Sequence, residues 1–167
     1  MGRWRPPAPA SSPYITAEGY QRLEVEMKEL WERRKEVTSA LAAAAAEGDR
    51  SENAEYIYRK KELRELDSRI GYLQRRMPKL KIVKEVGDIN SIFFGARVTV
   101  VDADGVESIY RIVGPDEIDD GKEYISIDSP MARALRGKSI DAEVTVSNGA
   151  ATRHYLITDI SYKTNTQ

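Results

Sequence analysis

Leu23, Met27, Leu30, Arg34, Val37, Leu41 and Ala44 recur at alternating spacings of four and three, with mostly polar residues between them. That rhythm is a coiled-coil seam on a helix, interrupted only by Arg34. A second seam steps the same way through Tyr56, Arg59, Leu63, Leu66, Ile70, Leu73, Met77 and Leu80. Gly48-Asp49-Arg50-Ser51 breaks the pattern between them, so the economical packing is an antiparallel helical hairpin. Each arm has roughly 30 residues, which at 1.5 Å per residue makes a rod on the order of 45 Å long. Thr16 is placed to cap the first helix, with Glu18 in its first turn and its end at about Glu47. Ala42 to Ala46 would thin the rod near its end, or serve simply as good helix formers. Pro78 should kink or end the second helix, and the hairpin should blur from there to about residue 85.

After Gly87 the pattern changes to strands. Arg97 to Val101 and Ser108 to Val113 alternate around an Asp104-Gly105 turn signal. Tyr124 to Ile127, Ala142 to Val146 and His154 to Ile160 read as further strands, Ser147-Asn148-Gly149 as a turn, and Met131 to Leu135 as a short helix. The fold class is therefore α+β in two domains: an N-terminal antiparallel coiled-coil hairpin over residues 14–85 and a C-terminal domain over 88–163 with a largely antiparallel sheet. Residues 1–13 hold four of the seven prolines without apolar periodicity, and read as a disordered tail.

Composition narrows the chemistry. Of 167 residues, 41% are hydrophobic and 32% charged, a balance that suits exposed helices better than one large enzyme core. Lys and Arg (26) nearly balance Asp and Glu (27), so attraction to nucleic acid would have to come from local clusters. The absence of cysteine excludes disulfides, thiolate zinc sites and cysteine nucleophiles. His154, the only histidine, reads as a structural or surface residue on a strand. No apolar run is long enough to span a membrane and no secretory signal precedes the hairpin, so a cytoplasmic protein is expected.

Chemistry concentrates between the seams. Glu47, Asp49, Glu52 and Glu55 place four carboxylates within nine residues. Asp49 and Glu52 have capping-box spacing, which would make them structural. They could instead hold a hard cation, because Mg²⁺ is commonly bound by one or two carboxylates with several waters retained. An exposed pair is a weak site, so another body would have to supply further ligands and the substrate. Arg59, Lys60, Lys61 and Arg64 follow on the second helix; they could steer RNA phosphates, or pair with the interleaved Glu62 and Glu65 as a solvated face. Tyr56 and Tyr58 could stack on a base, although Tyr56 lies on the seam and reads first as packing.

The run from Gly48 to Tyr56 resembles the tip signature of the bacterial Gre family of transcript cleavage factors. Ser126-Ile127-Asp128-Ser129-Pro130-Met131-Ala132-Arg133-Ala134-Leu135 is similar to its C-terminal motif, and Phe94-Gly95-Ala96 and Tyr110 to Gly114 match its strands. The resemblance covers residues 14–162. Arg50-Ser51 and the stretch Tyr58 to Tyr72 look like the GreB branch. The family implies a coiled coil inserted through the RNA polymerase secondary channel, and a C-terminal domain similar to FK506-binding proteins docked at its rim. It implies that Asp49 and Glu52 are catalytic, holding an Mg²⁺ shared with the polymerase, so that backtracked RNA is cut near its 3′ end by the polymerase and not by an enzyme of this chain's own. It implies an RNA-contacting patch at Arg59, Lys60, Lys61 and Arg64, docking through Asp128, Ser129, Pro130, Met131 and Arg133, and action as a monomer. Two other readings compete: a regulator that enters the same channel without promoting cleavage, and a helical arm that grips structured RNA.

Overall fold

A computed structural model describes residues 10–48, 53–84, 87–119, 121 and 123–162. The chain divides into two compact units, one formed by residues 18–80 and the other by residues up to 17 together with those from 81 onward.

In the first unit, helix α1 spans Ala17–Ala45 and helix α2 spans Ala54–Arg76. Their seams are those the spacing predicts: Leu23, Val37, Ala44, Ile70 and Leu73 are buried, and every other seam position is at least half-buried. Neither helix carries enough apolar surface to persist alone in water, so each is stabilised by burying its stripe on the other. Cross-helix ion pairs establish the direction. Glu26, early in α1, pairs with Arg69 late in α2, whereas Arg33 and Arg34, further along α1, pair with the earlier Glu62 and Asp67. The helices are antiparallel. Arg34, the one break in the first stripe, keeps its seam position by placing its guanidinium 2.6 Å from Asp67 and over the Trp31 ring. At Pro78 the α-helix gives way to a 3₁₀ turn, Met77–Lys79, as the missing proline N–H requires.

The second unit contains strands β1 (Tyr14–Thr16), β2 (Lys81–Val83), β3 (Arg97–Asp102), β4 (Glu107–Val113), β5 (Tyr124–Ser126), β6 (Glu143–Asn148) and β7 (Ala151–Ser161), with helix α3 (Pro130–Leu135) between β5 and β6. Five strands form one sheet in the order β5-β4-β3-β7-β6. β3, β4, β6 and β7 pair antiparallel, whereas β5 joins β4 parallel. The sheet is thus mixed, which alternation within each strand could not show. Its core gathers Ile92, Ala96, Val98, Val100, Ile112, Val144 and Ile157 beneath Ala132 and Leu135 of α3.

Two expected boundaries are corrected. Tyr14–Thr16 and Lys81–Val83, assigned from sequence to the hairpin, are a parallel strand pair belonging to the second unit. Ordered chain also begins before residue 14: Ser12 donates its backbone N–H (2.9 Å) and its hydroxyl to the Asp128 carboxylate, and the Pro13 carbonyl accepts from the Lys81 amide at 2.8 Å. Thr16, expected as a helix cap, does stand immediately before α1, but its hydroxyl donates to the buried Glu117. The same carboxylate accepts from the backbone N–H groups of Thr16 (3.0 Å) and Gly114 (2.7 Å). Gly114-Pro115-Asp116, which reads as a plain turn, therefore positions the buried anion that holds β1.

Gly114 is required by that approach. A Cβ there would lie 1.9 Å from the Tyr14 carbonyl oxygen, a contact with backbone that no rotamer change relieves. Gly114→Ala should destabilise the second unit by roughly 1–3 kcal/mol, the usual cost of overpacking. Urea unfolding of the full chain checks this; an unchanged midpoint would mean that β1 is not held as described.

Candidate functional site

The sequence points to the segment joining α1 and α2, and the described residues define both sides of it. α1 ends at Ala45, and Gly48 turns with φ of 131°, a conformation that L side chains rarely adopt. Asp49 and Glu52, the predicted catalytic pair, lie outside the described residues. α2 begins at Ala54, and its N-cap is Asn53, whose Oδ1 accepts from the Tyr56 amide at 3.0 Å. Asn53 also donates through Nδ2 to the Ala44 carbonyl at 2.9 Å, so one amide contacts the ends of both helices. Sequence reasoning missed this residue, although an Asn directly before Ala-Glu at the start of an apolar-periodic run is a recognised N-cap signal.

Behind this end the predicted basic patch divides. Arg59 is committed: its Nε lies 2.9 Å from Glu55 and its Nη1 3.1 Å from Glu62. Glu62 is also gripped from the other helix by Arg33 at 2.6 Å, so Glu55, Arg59, Glu62 and Arg33 form a continuous charged chain across the two arms. Hydrogen bonds from Arg33, opposed in part by desolvation and reinforced by Arg59, hold the Glu62 carboxyl below the usual carboxylate range. Lys60 sits over the half-buried Tyr56 ring at 5.8 Å, and Tyr58 is well exposed beside Arg59. Lys61 and Arg64 are exposed, and with Glu65, Ser68, Arg69 and Tyr72 they line an open groove of about 800 Å³ along α2. Of the four predicted contacts, these two are the cations best placed to meet an external phosphate.

The predicted docking residues lie around α3. Ser129 caps it, its Oγ accepting from the Ala132 amide at 3.2 Å, and Pro130 occupies the first turn, where no N–H is needed. Met131 is half-buried against the core, and Pro130 and Arg133 are exposed. Asp128 is half-buried and accepts from Ser12. His154 is exposed on β7, 3.1 Å from the Thr145 hydroxyl, in keeping with a surface role.

No three His, Asp or Glu side chains converge to hold a metal among the described residues, and no described helix is long and apolar enough to cross a membrane. What the architecture offers is a charged helical hairpin and a small α+β unit, the parts of an accessory protein that acts on another body. The match to known families makes that particular. Residues 13–82 match the model of the N-terminal domain of the transcription elongation factors and residues 87–162 that of the GreA/GreB C-terminal domain. Transcription elongation factor GreB of Pseudomonas aeruginosa is 54% identical over 164 residues, covering 97% of this chain and 98% of that protein. The GreB proteins of Xanthomonas axonopodis pv. citri (52% identity, 97% and 98% coverage) and Yersinia pestis (53%, 92% and 91%) are similarly related. A solved structure of the transcription factor Gfh1 aligns with 91% of this chain and 99% of its own at a TM-score of 0.45 and 24% identity. The chain belongs to the GreA/GreB family of transcription elongation factors, accessory factors that stimulate transcript cleavage by RNA polymerase.

The Glu62 chain carries a pH dependence. A carboxyl held below its ordinary range in the folded state contributes stability at neutral pH that is lost as the pH falls through that lowered value. Helix content of the full chain, followed through acid titration, should fall as the pH drops below the ordinary carboxylate range. Glu62→Gln should be less stable than the parent at neutral pH and converge with it in acid. Parallel curves at all pH values would show that the cross-arm pairs contribute nothing.

Proposed function

We propose that this chain, acting as a cytoplasmic monomer, inserts its hairpin through the secondary channel of RNA polymerase and places Asp49 and Glu52 beside the backtracked RNA 3′ end. What supports this reading is the family match over residues 13–82, a span that includes both carboxylates. Two carboxylates three residues apart form a donor set of the kind Mg²⁺ accepts, with its remaining ligands supplied by water and by the polymerase. A shared Mg²⁺ supplies charge neutralisation at the scissile phosphate and lowers the pKa of a bound water. Asp49 and Glu52 orient and retain that site, and the polymerase performs the hydrolysis.

Reach and slimness support the same reading. A helix of 29 residues extends about 43 Å, and the alanines ending α1 add little bulk beyond the backbone. Lys61 and Arg64 on the open face of α2 are suited to attract RNA phosphates, while Arg59 is held by two glutamates of its own helix. Pro130 and Arg133 are the exposed members of the docking set at the channel rim.

The test uses a halted, backtracked complex carrying 5′-labelled RNA, with Mg²⁺ alone, with this protein, and with its Asp49→Asn/Glu52→Gln variant. The unaltered protein should accelerate RNA shortening, and the variant should lose about 10²- to 10⁴-fold in rate while still binding polymerase. Equal activity of the two proteins would overturn the assignment. Lys61→Ala/Arg64→Ala should weaken the response more at low salt than at raised salt, where screening already mutes both cations. The reverse order would place the RNA contact elsewhere.

A further inference from the structure

We infer that Ser12 is a positioning residue for polymerase docking: it holds the Asp128 carboxylate and so sets the turn from which α3 presents Pro130 and Arg133. The inference rests on the docking reading proposed above. Ser12 and Asp128 are both half-buried and lie 116 residues apart in the chain. Ser12 donates twice to the one carboxylate, through its backbone N–H to Oδ2 at 2.9 Å and through its hydroxyl to Oδ1. Any residue but proline could supply the N–H. The second donor needs a short hydroxyl side chain at this position. Hydrogen bonds to an ionised acceptor are stronger than neutral ones, and a half-buried carboxylate left without them is costly.

Both ends of the contact are anchored. Pro13 confines the residue before it to extended backbone, and its carbonyl accepts from the Lys81 amide at 2.8 Å, so Ser12 meets Asp128 with little freedom left to lose. On the other side, the Asp128 N–H donates to the Ser126 hydroxyl at 3.1 Å and the Ser129 N–H to the Ser126 carbonyl at 2.9 Å. Ser129 then caps α3. Asp128 is where the N-terminal segment grips this turn. A helix of only six residues takes its orientation from its packing and from the turn that leads into it. Pro130 and Arg133 are exposed on that helix, so the grip on Asp128 bears on where both side chains face.

Ser12→Ala removes the hydroxyl and keeps the N–H, whereas Ser12→Thr keeps both donors. Each is compared with the parent in the halted, backtracked complex by the factor concentration that gives half-maximal RNA shortening and by the maximal rate, with urea unfolding of the full chain alongside. Asp128→Ala, alone and combined with Ser12→Ala, and Pro130→Ala/Arg133→Ala complete the set. Ser12→Ala should need about tenfold more factor, the scale of one hydrogen bond to a charged group, and still reach the parental maximal rate. Ser12→Thr should match the parent, and Ser12→Ala should add nothing once Asp128 is replaced. A parental half-maximal concentration for Ser12→Ala, while Pro130→Ala/Arg133→Ala is weakened, would overturn the inference and leave the docking reading intact; a urea midpoint lowered at the same time would show that the contact only supports the fold. An equal further loss from Ser12→Ala in the Asp128→Ala background would also overturn it. Parental half-maximal concentrations in both Asp128→Ala and Pro130→Ala/Arg133→Ala would instead remove the docking reading, and the inference with it.

Discussion

Everything that distinguishes this chain depends on a seam about one side chain wide between two antiparallel helices. α1 and α2 are polar around most of their circumference, so isolated helices of this composition would be marginal in water. Burial of Leu23, Val37, Ile70 and Leu73 along a narrow stripe is what makes each helix persist. The constraint explains why charge is used as a lock. Apolar stripes of this kind slip easily by a turn, and the pairs Glu26 with Arg69, Arg33 with Glu62 and Arg34 with Asp67 favour one register. Each exposed pair contributes little to stability. Their value is specificity of alignment, because a slip would carry the connecting segment to one side.

The second unit solves a different problem. Its five-stranded sheet buries one face beneath α3, and a single buried carboxylate, Glu117, fastens the strand that leads into α1. Desolvating that anion is costly without partners. Three donors supply them, two from Thr16 and one from Gly114. A polar cluster thus does here what apolar packing does in the hairpin: it permits one arrangement and penalises the rest.

Much of this was legible in the sequence because it is periodic. The four-and-three spacing identified both helices and every seam residue, Arg34 and Arg59 included, and alternation located β3, β4, β6 and β7 within a few residues. Pro78 ended its helix where its chemistry requires. What escaped was local or distant. β1 and β2 are three residues each and pair across the length of the hairpin, so neither carries a pattern long enough to read. The parallel pairing of β5 depends on a neighbour, not on its own residues. The bond from Ser12 to Asp128 escaped because Ser12 fell in a stretch read as tail. Glu117 went unremarked because its partner Thr16 lies 101 residues away in the chain. At the site, composition identified Asp49 and Glu52 as candidates, but the residue joining the two helix ends is an uncharged amide, visible only once the two helix ends were placed.

We propose that the end of this hairpin works inside the polymerase. The absence of cysteine allows one label at a chosen place, and Glu47, exposed just before the connecting segment, is the position to use. A photoactivatable group on Glu47→Cys, irradiated in a backtracked complex with 3′-labelled RNA, should crosslink to that RNA or to the polymerase catalytic centre. The same group on Glu24→Cys, well back along α1, should reach neither. Crosslinks from position 47 confined to the polymerase exterior, or equal RNA crosslinking from both positions, would contradict the account.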